Sequence, residues 1–387
     1  MKGINRQLAL IGIASLVFSI GYGAVWFLVP QLARSGLGLD LWAVGLLVAV
    51  PSAVTLTFDI PSGALSDRVG RKKMVYVGAA LVLPAAALLA SVGSVETFVL
   101  FASVMGLSSA LVIPSARALV MENCKKGEEA EGFGMMMSLM VLGNVIGAVA
   151  AGWMIEKGVM ACLGDIALFY AIATCLAYPP MRFVKESAKK AKRGLFRPAL
   201  RDFKALKSMG IVVIYVSFIL TLIDATVWGF EPIMDEESGS SMAFLGVLML
   251  ALTASMVLFQ PIGGWLADRF GDMKMLLAGL AIGGVFLMVF SLQTDETLLF
   301  STALLFSLGM ALAWPAVSGV LTEISVNCRR GGIAGVWMFS MDLACLVGPI
   351  LGGAITLFSG TVSSVFFVMG AVLAASAVPL ALFRHRI

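Results

Sequence analysis

Among the ionisable side chains inside long apolar stretches of the sequence are Asp59, Arg117, Asp224 and Asp342. A charge in such a setting is costly, and where it occurs it marks a ligand, a proton or an ion. Asp224 has the richest surroundings. With Ser217, Thr221, Trp228 and Glu231 it follows the spacing i, i+4, i+7, i+11, i+14, which is one face of a helix. A carboxyl on that face can take up a proton in one state and release it in another, or meet a cationic ligand. Trp228, one turn on, offers an aromatic face to such a cation. Asp342 is the second candidate for the same role. Asp59 is as well suited to a structural partnership, and Arg117 either binds an anionic group or snorkels to a surface. A second polar and aromatic stripe comprises Ser15, Ser19, Tyr22 and Trp26, and Trp314 and Ser318 add a weaker one. Interhelical hydrogen bonding without any ligand would also produce these stripes. Met135, Met136, Met137 and Met140 make either an adaptable apolar surface or plain core filler.

Other chemistry is missing from the sequence. The single histidine is His385, so no histidine metal site or histidine proton relay is expected. The five cysteines are scattered and form no disulfide framework or metal set. No G-K-[ST] phosphate loop suggests ATP as a driving force. We expect no cofactor, no metal, no nucleic-acid partner and no enzymatic activity.

The elements that must position these residues are membrane spans. The 387 residues are 60% hydrophobic and 13% charged, with a mean hydropathy of +0.98. Soluble domains carry about twice that charge fraction. Apolar runs fall near 8–33, 41–65, 74–92, 97–120, 132–155, 160–180, 210–232, 242–267, 275–292, 298–321, 333–357 and 363–383, numbered below as spans 1 to 12. Each is about 20 residues, enough to cross a bilayer. The first run is too long for a signal peptide and is expected to be retained. Arg68 to Lys73, Lys125, Lys126, Arg269, Lys274, Arg329, Arg330, Arg384 and Arg386 fall on one side, which predicts a multi-pass cell-membrane protein with both termini cytoplasmic.

The connection 181–209 holds ten lysines or arginines, and Leu195, Phe196, Ala199, Leu200, Phe203 and Leu206 share a helical face. It reads either as a solvated linker or as a basic amphipathic helix on anionic lipid. The expected domains are an N-terminal six-helix bundle at 1–180, the basic linker at 181–209 and a C-terminal six-helix bundle at 210–387.

Between spans 2 and 3 lies Gly63-Ala64-Leu65-Ser66-Asp67-Arg68-Val69-Gly70-Arg71-Lys72, expected as a tight surface loop. Gly63 is expected to admit a neighbouring helix and Gly70 to supply the positive φ of a reversal. A diluted copy, Gly264-Trp265-Leu266-Ala267-Asp268-Arg269-Phe270-Gly271-Asp272-Met273-Lys274, lies at an offset of 264 − 63 = 201. Pro114 and Pro315, Glu122 and Glu323, Gly147 and Gly348, and Gly152 and Gly353 keep that offset, which indicates two tandem homologous halves.

The G-x-L-S-D-R-x-G-R-K motif resembles the loop motif of the major facilitator superfamily. The resemblance implies an all-α membrane protein of twelve transmembrane helices in two pseudo-symmetric six-helix bundles around a central cavity lined by helices 1, 4, 7 and 10. It implies secondary transport by alternating access, with proton-coupled efflux of amphipathic organic compounds as the leading reading. An importer or facilitator of a small organic solute is the alternative, as is a transport-silent sensor or lipid translocator. The expected partners are a small-molecule substrate, protons or another coupling ion, and membrane lipids, with the chain a monomer. Substrate or proton contacts would be Asp224, Asp342, Thr221, Trp228, Tyr22, Trp26, Arg117, Asn144 and Trp314. A gating latch would comprise Gly63, Asp67, Arg68, Gly70, Arg71, Glu122, Asp268 and Glu323. In it Asp67 faces the positive N-terminal end of span 11 and Arg71 reaches Glu122. Asp272 stands in the place of Arg71, so the second copy should hold less firmly.

Drug–proton antiporters of the family carry G-x-x-x-G-P-x-x-G-G in span 5. Here Ala148 replaces the proline and Ala151 a glycine, while an intact Gly348-Pro349-Ile350-Leu351-Gly352-Gly353 lies in span 11. The arginine of the family's fourth helix would fall at Ala102.

Overall fold

The structure is a computed structural model, and it describes residues 6–124, 129–186, 208–325 and 330–383. Within its helices the side chains of Asp67, Ser318 and Glu323, among others, lie outside that description. All regular elements among the described residues are helical. Eleven helices are long and apolar enough, by length and composition, to cross a membrane. The remaining predicted run, span 8, is divided into Met242–Leu258 and Gln260–Phe270. The expected continuous helix fails there because Pro261 has no N–H to donate to the preceding turn. Pro84 acts alike in span 3, which is split at Leu81 into Arg71–Ala80 and Val82–Ala90.

Helix starts are built from local chemistry. Asp40 accepts a hydrogen bond from the Ala43 amide at 3.2 Å and caps span 2, Leu41–Val69. Ser94 and Thr97 form a reciprocal capping box at the start of span 4, Val95–Asn123. Large apolar side chains that point outward, such as Leu292 at 70% exposure and Phe358 at 93%, suit a lipid environment rather than water.

The motif between spans 2 and 3 is not the ten-residue loop expected. Span 2 continues as helix to Val69, span 3 begins at Arg71, and the reversal is made by Gly70 alone at φ +112°. The repeat holds here: Gly271, at φ +95°, separates Gln260–Phe270 from Asp272–Phe290. A side chain would be strained at either angle. The expectation for Gly63 is also corrected among the described residues, where a Cβ on it would meet nothing within 4 Å. The close approach is one residue earlier, where Ser62 Oγ donates to the Ala110 carbonyl at 2.6 Å.

The chain divides into two compact units, Met1–Lys192 and Arg193–Ile387. The division falls inside the predicted linker, whose amphipathic face at 195–206 lies outside the described residues. Each unit has the same internal packing plan. In the first, span 1 packs on span 5 (Glu129–Ile155) and span 6 (Leu163–Ala177), while span 4 packs on spans 2 and 3. In the second, span 7 (Ser208–Phe230) packs on spans 11 (Arg330–Ser359) and 12 (Val362–Ala375), while span 10 (Glu296–Ser325) packs on spans 8 and 9. The equivalent glycines Gly147 and Gly348 sit against backbone atoms of Ile20 and Ala24 in one unit and Leu222 in the other. Hydrogen in place of a side chain is what lets these helix pairs close.

Candidate functional site

Span 7 is the most enclosed of the candidate spans. Its apolar window, within Ile214–Ile233, is 67% buried against 33–50% for the other ten. Residues Ile214 to Phe230 place Asp224 near mid-helix, and Trp314 of span 10, its indole nitrogen buried, lies near it. Trp314 carries only a weak signal in the sequence, and the structure brings it to Asp224. Thr221, one turn away, is buried, and its hydroxyl has no hydrogen-bond partner among the described residues. Trp228 is half-buried one turn further on.

Not every position of the stripe is available to a ligand. Ser217 Oγ accepts a 2.7 Å hydrogen bond from Trp337 Nε1 of span 11, so this residue serves helix pairing. Asp342 is half-buried further along span 11. At the far end of the stripe Glu231 is 0% exposed and opens a short 3-10 turn, Glu231–Ile233. Its place at i+14 hints at burial, but a position at the end of an apolar run equally suggests a wet helix end. Glu237, the next acid whose side chain is described, accepts hydrogen bonds from the amides of Val362 and Ser363 and so caps span 12.

In the first unit, span 1 stacks Phe18, Tyr22 and Trp26 into an aromatic ladder with ring centroids 5.8 and 6.0 Å apart. Ser19 does not extend it as a ligand contact but packs beside Gly143 of span 5. Asn144 comes against Gly23 through its backbone, and its side-chain carbonyl is buried without a donor among the described residues. Arg117 and Asp59 are half-buried.

The loop motif is organised around Arg71. Its guanidinium donates to the Ala118 carbonyl at 3.0 Å and pairs with Glu122 at 2.8 Å, as expected from sequence. Both partners belong to span 4, so this pair closes a contact inside the first unit. The motif's further partners lie in the linker, where nothing in the sequence marks them. The Arg71 amide donates to the Glu186 carboxylate, and Lys72 Nζ donates to the carbonyls of Arg182 and Val184 at 3.0 and 2.9 Å. Asn123 Nδ2 donates to the Lys185 carbonyl at 3.0 Å. The start of the linker is thereby tied to the motif and to the end of span 4. Arg68 and Asp268 are exposed. In the second unit Asp272 lies in the first turn of its helix, and Arg269 lies over the rings of Trp265 and Phe270 at 5.4 and 5.7 Å.

A family model described as the Major Facilitator Superfamily matches residues 11–228 and 213–386. The chain is similar to multidrug resistance protein MdtH of Yersinia pestis (strain Pestoides F), 26% identical over 347 residues, covering 88% of this chain and 84% of that protein. The protein of the same name from Yersinia pseudotuberculosis serotype O:1b (strain IP 31758) matches equally. A crystal structure of the peptide transporter POT in complex with alafosfalin superposes with a TM-score of 0.77 at 14% identity, covering 100% of this chain and 96% of that one. A bacterial homologue of the human lysosomal transporter Spinster, in an inward-facing and unoccupied conformation, gives 0.74 at 14% identity, covering 99% and 96%. At these identities the two structures show a shared fold.

Proposed function

The chain belongs to the major facilitator superfamily, a family of membrane transporters rather than enzymes, and on that premise we propose that it is a secondary active transporter coupling efflux of amphipathic organic compounds to proton entry. The observation that carries this reading is Asp224: an acid near the middle of the most enclosed span, faced by Trp314. A carboxyl at that depth is tolerated when neutral or paired. A state open to water on one side lets it exchange its proton, and a state open on the other lets it do so again, which is what coupling requires. The substrate class is supported by the likeness to multidrug resistance proteins. Trp228, Tyr22, Trp26 and Trp314 supply the flat apolar surfaces that amphipathic organic molecules need, and Thr221 and Asn144 offer buried polar atoms. Asp342 and Arg117 remain secondary contacts in this scheme.

The twelve-span, two-bundle architecture with both termini cytoplasmic is part of the same proposal, as are a cell-membrane location and a monomeric state. Gly70, Asp67, Arg68, Arg71 and Glu122 form the gate at the cytoplasmic edge, and Asp268 and Glu323 form its weaker copy. Gly63 opens the same motif from within span 2. The orientation is checked by Gly239→Cys in a cysteine-free background: an impermeant thiol reagent added to intact cells should label it, and protection of that site would reverse the topology.

The functional test uses inside-out vesicles and ethidium as the cationic probe. An imposed proton gradient should drive ethidium accumulation by the natural chain and not by Asp224→Asn, while ethidium exchange without a gradient persists in both. Accumulation by Asp224→Asn with the natural pH profile would remove Asp224 from coupling. Loss of gradient dependence in the natural chain would instead favour a facilitator.

A further inference from the structure

Glu231 is the one charged residue among the described fully buried side chains. Both of its carboxylate oxygens are under the surface, and neither has a hydrogen-bond partner among the described residues. Its chain neighbours Phe230, Pro232, Ile233 and Met234 are apolar and buried. Among the described residues, the two helices that pack most on this turn supply no compensating charge. The Met242–Leu258 helix of span 8 contains no ionisable residue, and span 7 contributes only Tyr215 and Asp224. Glu237, the next described acid, already accepts the amides of Val362 and Ser363. The side chains of Asp235 and Glu236 lie outside the described residues.

An anionic carboxylate in such a place forfeits its hydration and regains nothing, which is far more costly than burying the neutral acid. A methionine or leucine would fill the same volume without that risk. The acid is therefore accommodated here as a carboxylic acid, and becomes an anion only when the turn opens to water. It also stands seven residues beyond Asp224, in the turn that directly follows the helix carrying Asp224. We propose that Glu231 is a second proton-binding site of span 7, acting in series with Asp224 and exchanging its proton when the Glu231–Met234 turn is uncovered. The serial part rests on the reading of Asp224 given above; the proton on Glu231 does not.

The test is infrared difference spectroscopy of the purified full-length chain, titrated with protons alone between about pH 5 and about pH 9, a range that spans shifted carboxyl groups. The natural chain should show the carbonyl stretch of protonated buried carboxyls. Glu231→Gln, nearly the same shape as the neutral acid, should remove one component and lower proton uptake over the titration by about one per chain. Asp224→Asn should remove a different component. A Glu231→Gln spectrum and proton uptake identical to the natural chain would overturn the proposal, whatever Asp224→Asn does. Loss of a component in Glu231→Gln but not in Asp224→Asn would sustain the proton on Glu231 and remove Asp224 as its partner. Should Glu231→Gln fail to fold, Glu231→Asp keeps the acid and moves its stretch. A stretch left in place by that change would equally overturn the assignment.

Discussion

The two halves share a packing plan and place their charge differently. In the first, charge is concentrated at the junction of spans 2 and 3, where Arg71, Lys72, Glu122 and Glu186 tie that junction to span 4 and to the beginning of the linker. In the second, the corresponding junction has Asp272 in the arginine's place, and Arg269 turns to its own aromatic neighbours. Charge there has moved inward: span 7 carries Asp224 and Glu231, whereas span 1, Arg6–Gln31, carries no acid at all. The same helical plan thus serves as an edge clamp in one copy and as an acid-bearing wall in the other. The close contacts differ in kind too. Ser62 reaches the Ala110 carbonyl through a hydroxyl, while its repeat partner Gly263 sits directly on the Ala311 carbonyl.

This contrast can be broken most forcefully at Asp224. Asp224→Asn should lower gradient-driven ethidium transport by about 100-fold or more, in the range of a lost proton-transfer group, with little change in thermal stability. A variant that loses stability and transport together would make Asp224 a structural residue. Next in size is Gly263→Ser, which presses a side chain onto the Ala311 carbonyl and should cost about 3 kcal/mol, read as a lower unfolding midpoint in detergent. No change would mean that the helices can separate at this point. Arg71→Ala strands the partly buried Glu122 and should cost about 2 kcal/mol; the added substitution Glu122→Ala should recover part of it. A double-variant loss equal to the sum of the two single losses would mean that the pair does not act as a pair. Ser62→Ala removes one hydroxyl bond and should cost about 1 kcal/mol. Smallest is Arg269→Ala, an exposed ring contact worth about 0.5 kcal/mol. If its loss matches that of Arg71→Ala, the two junctions are not as different as their contacts indicate.

Legibility in the sequence varies with the kind of signal. The spans are legible because their apolar runs are long enough to cross a bilayer and too apolar to face water. The repeat is legible because one offset links prolines, glycines and acids. Asp224 stands out because its neighbours recur on one helical face, and the Arg71–Glu122 pair because opposite charges fall at two predicted helix ends. Gly63 misleads because a shift of one residue rotates a helix position by about 100°, and only packing reveals that Ser62 holds the facing position. Glu186 is invisible because it sits in a charge-rich linker, where nothing local distinguishes it from its neighbours. Ser217 looks like the rest of its stripe, and its bond to Trp337 joins residues 120 positions apart. No local pattern encodes such a meeting.

The cap that Glu237 places on span 12 has a consequence for the order of assembly. Its carboxylate meets amides 125 and 126 positions later. During synthesis that bond cannot form until the final span has left the ribosome. Until then the Glu237 carboxylate has no helix end to cap. A nascent chain interrupted before Val362 therefore lacks this contact altogether.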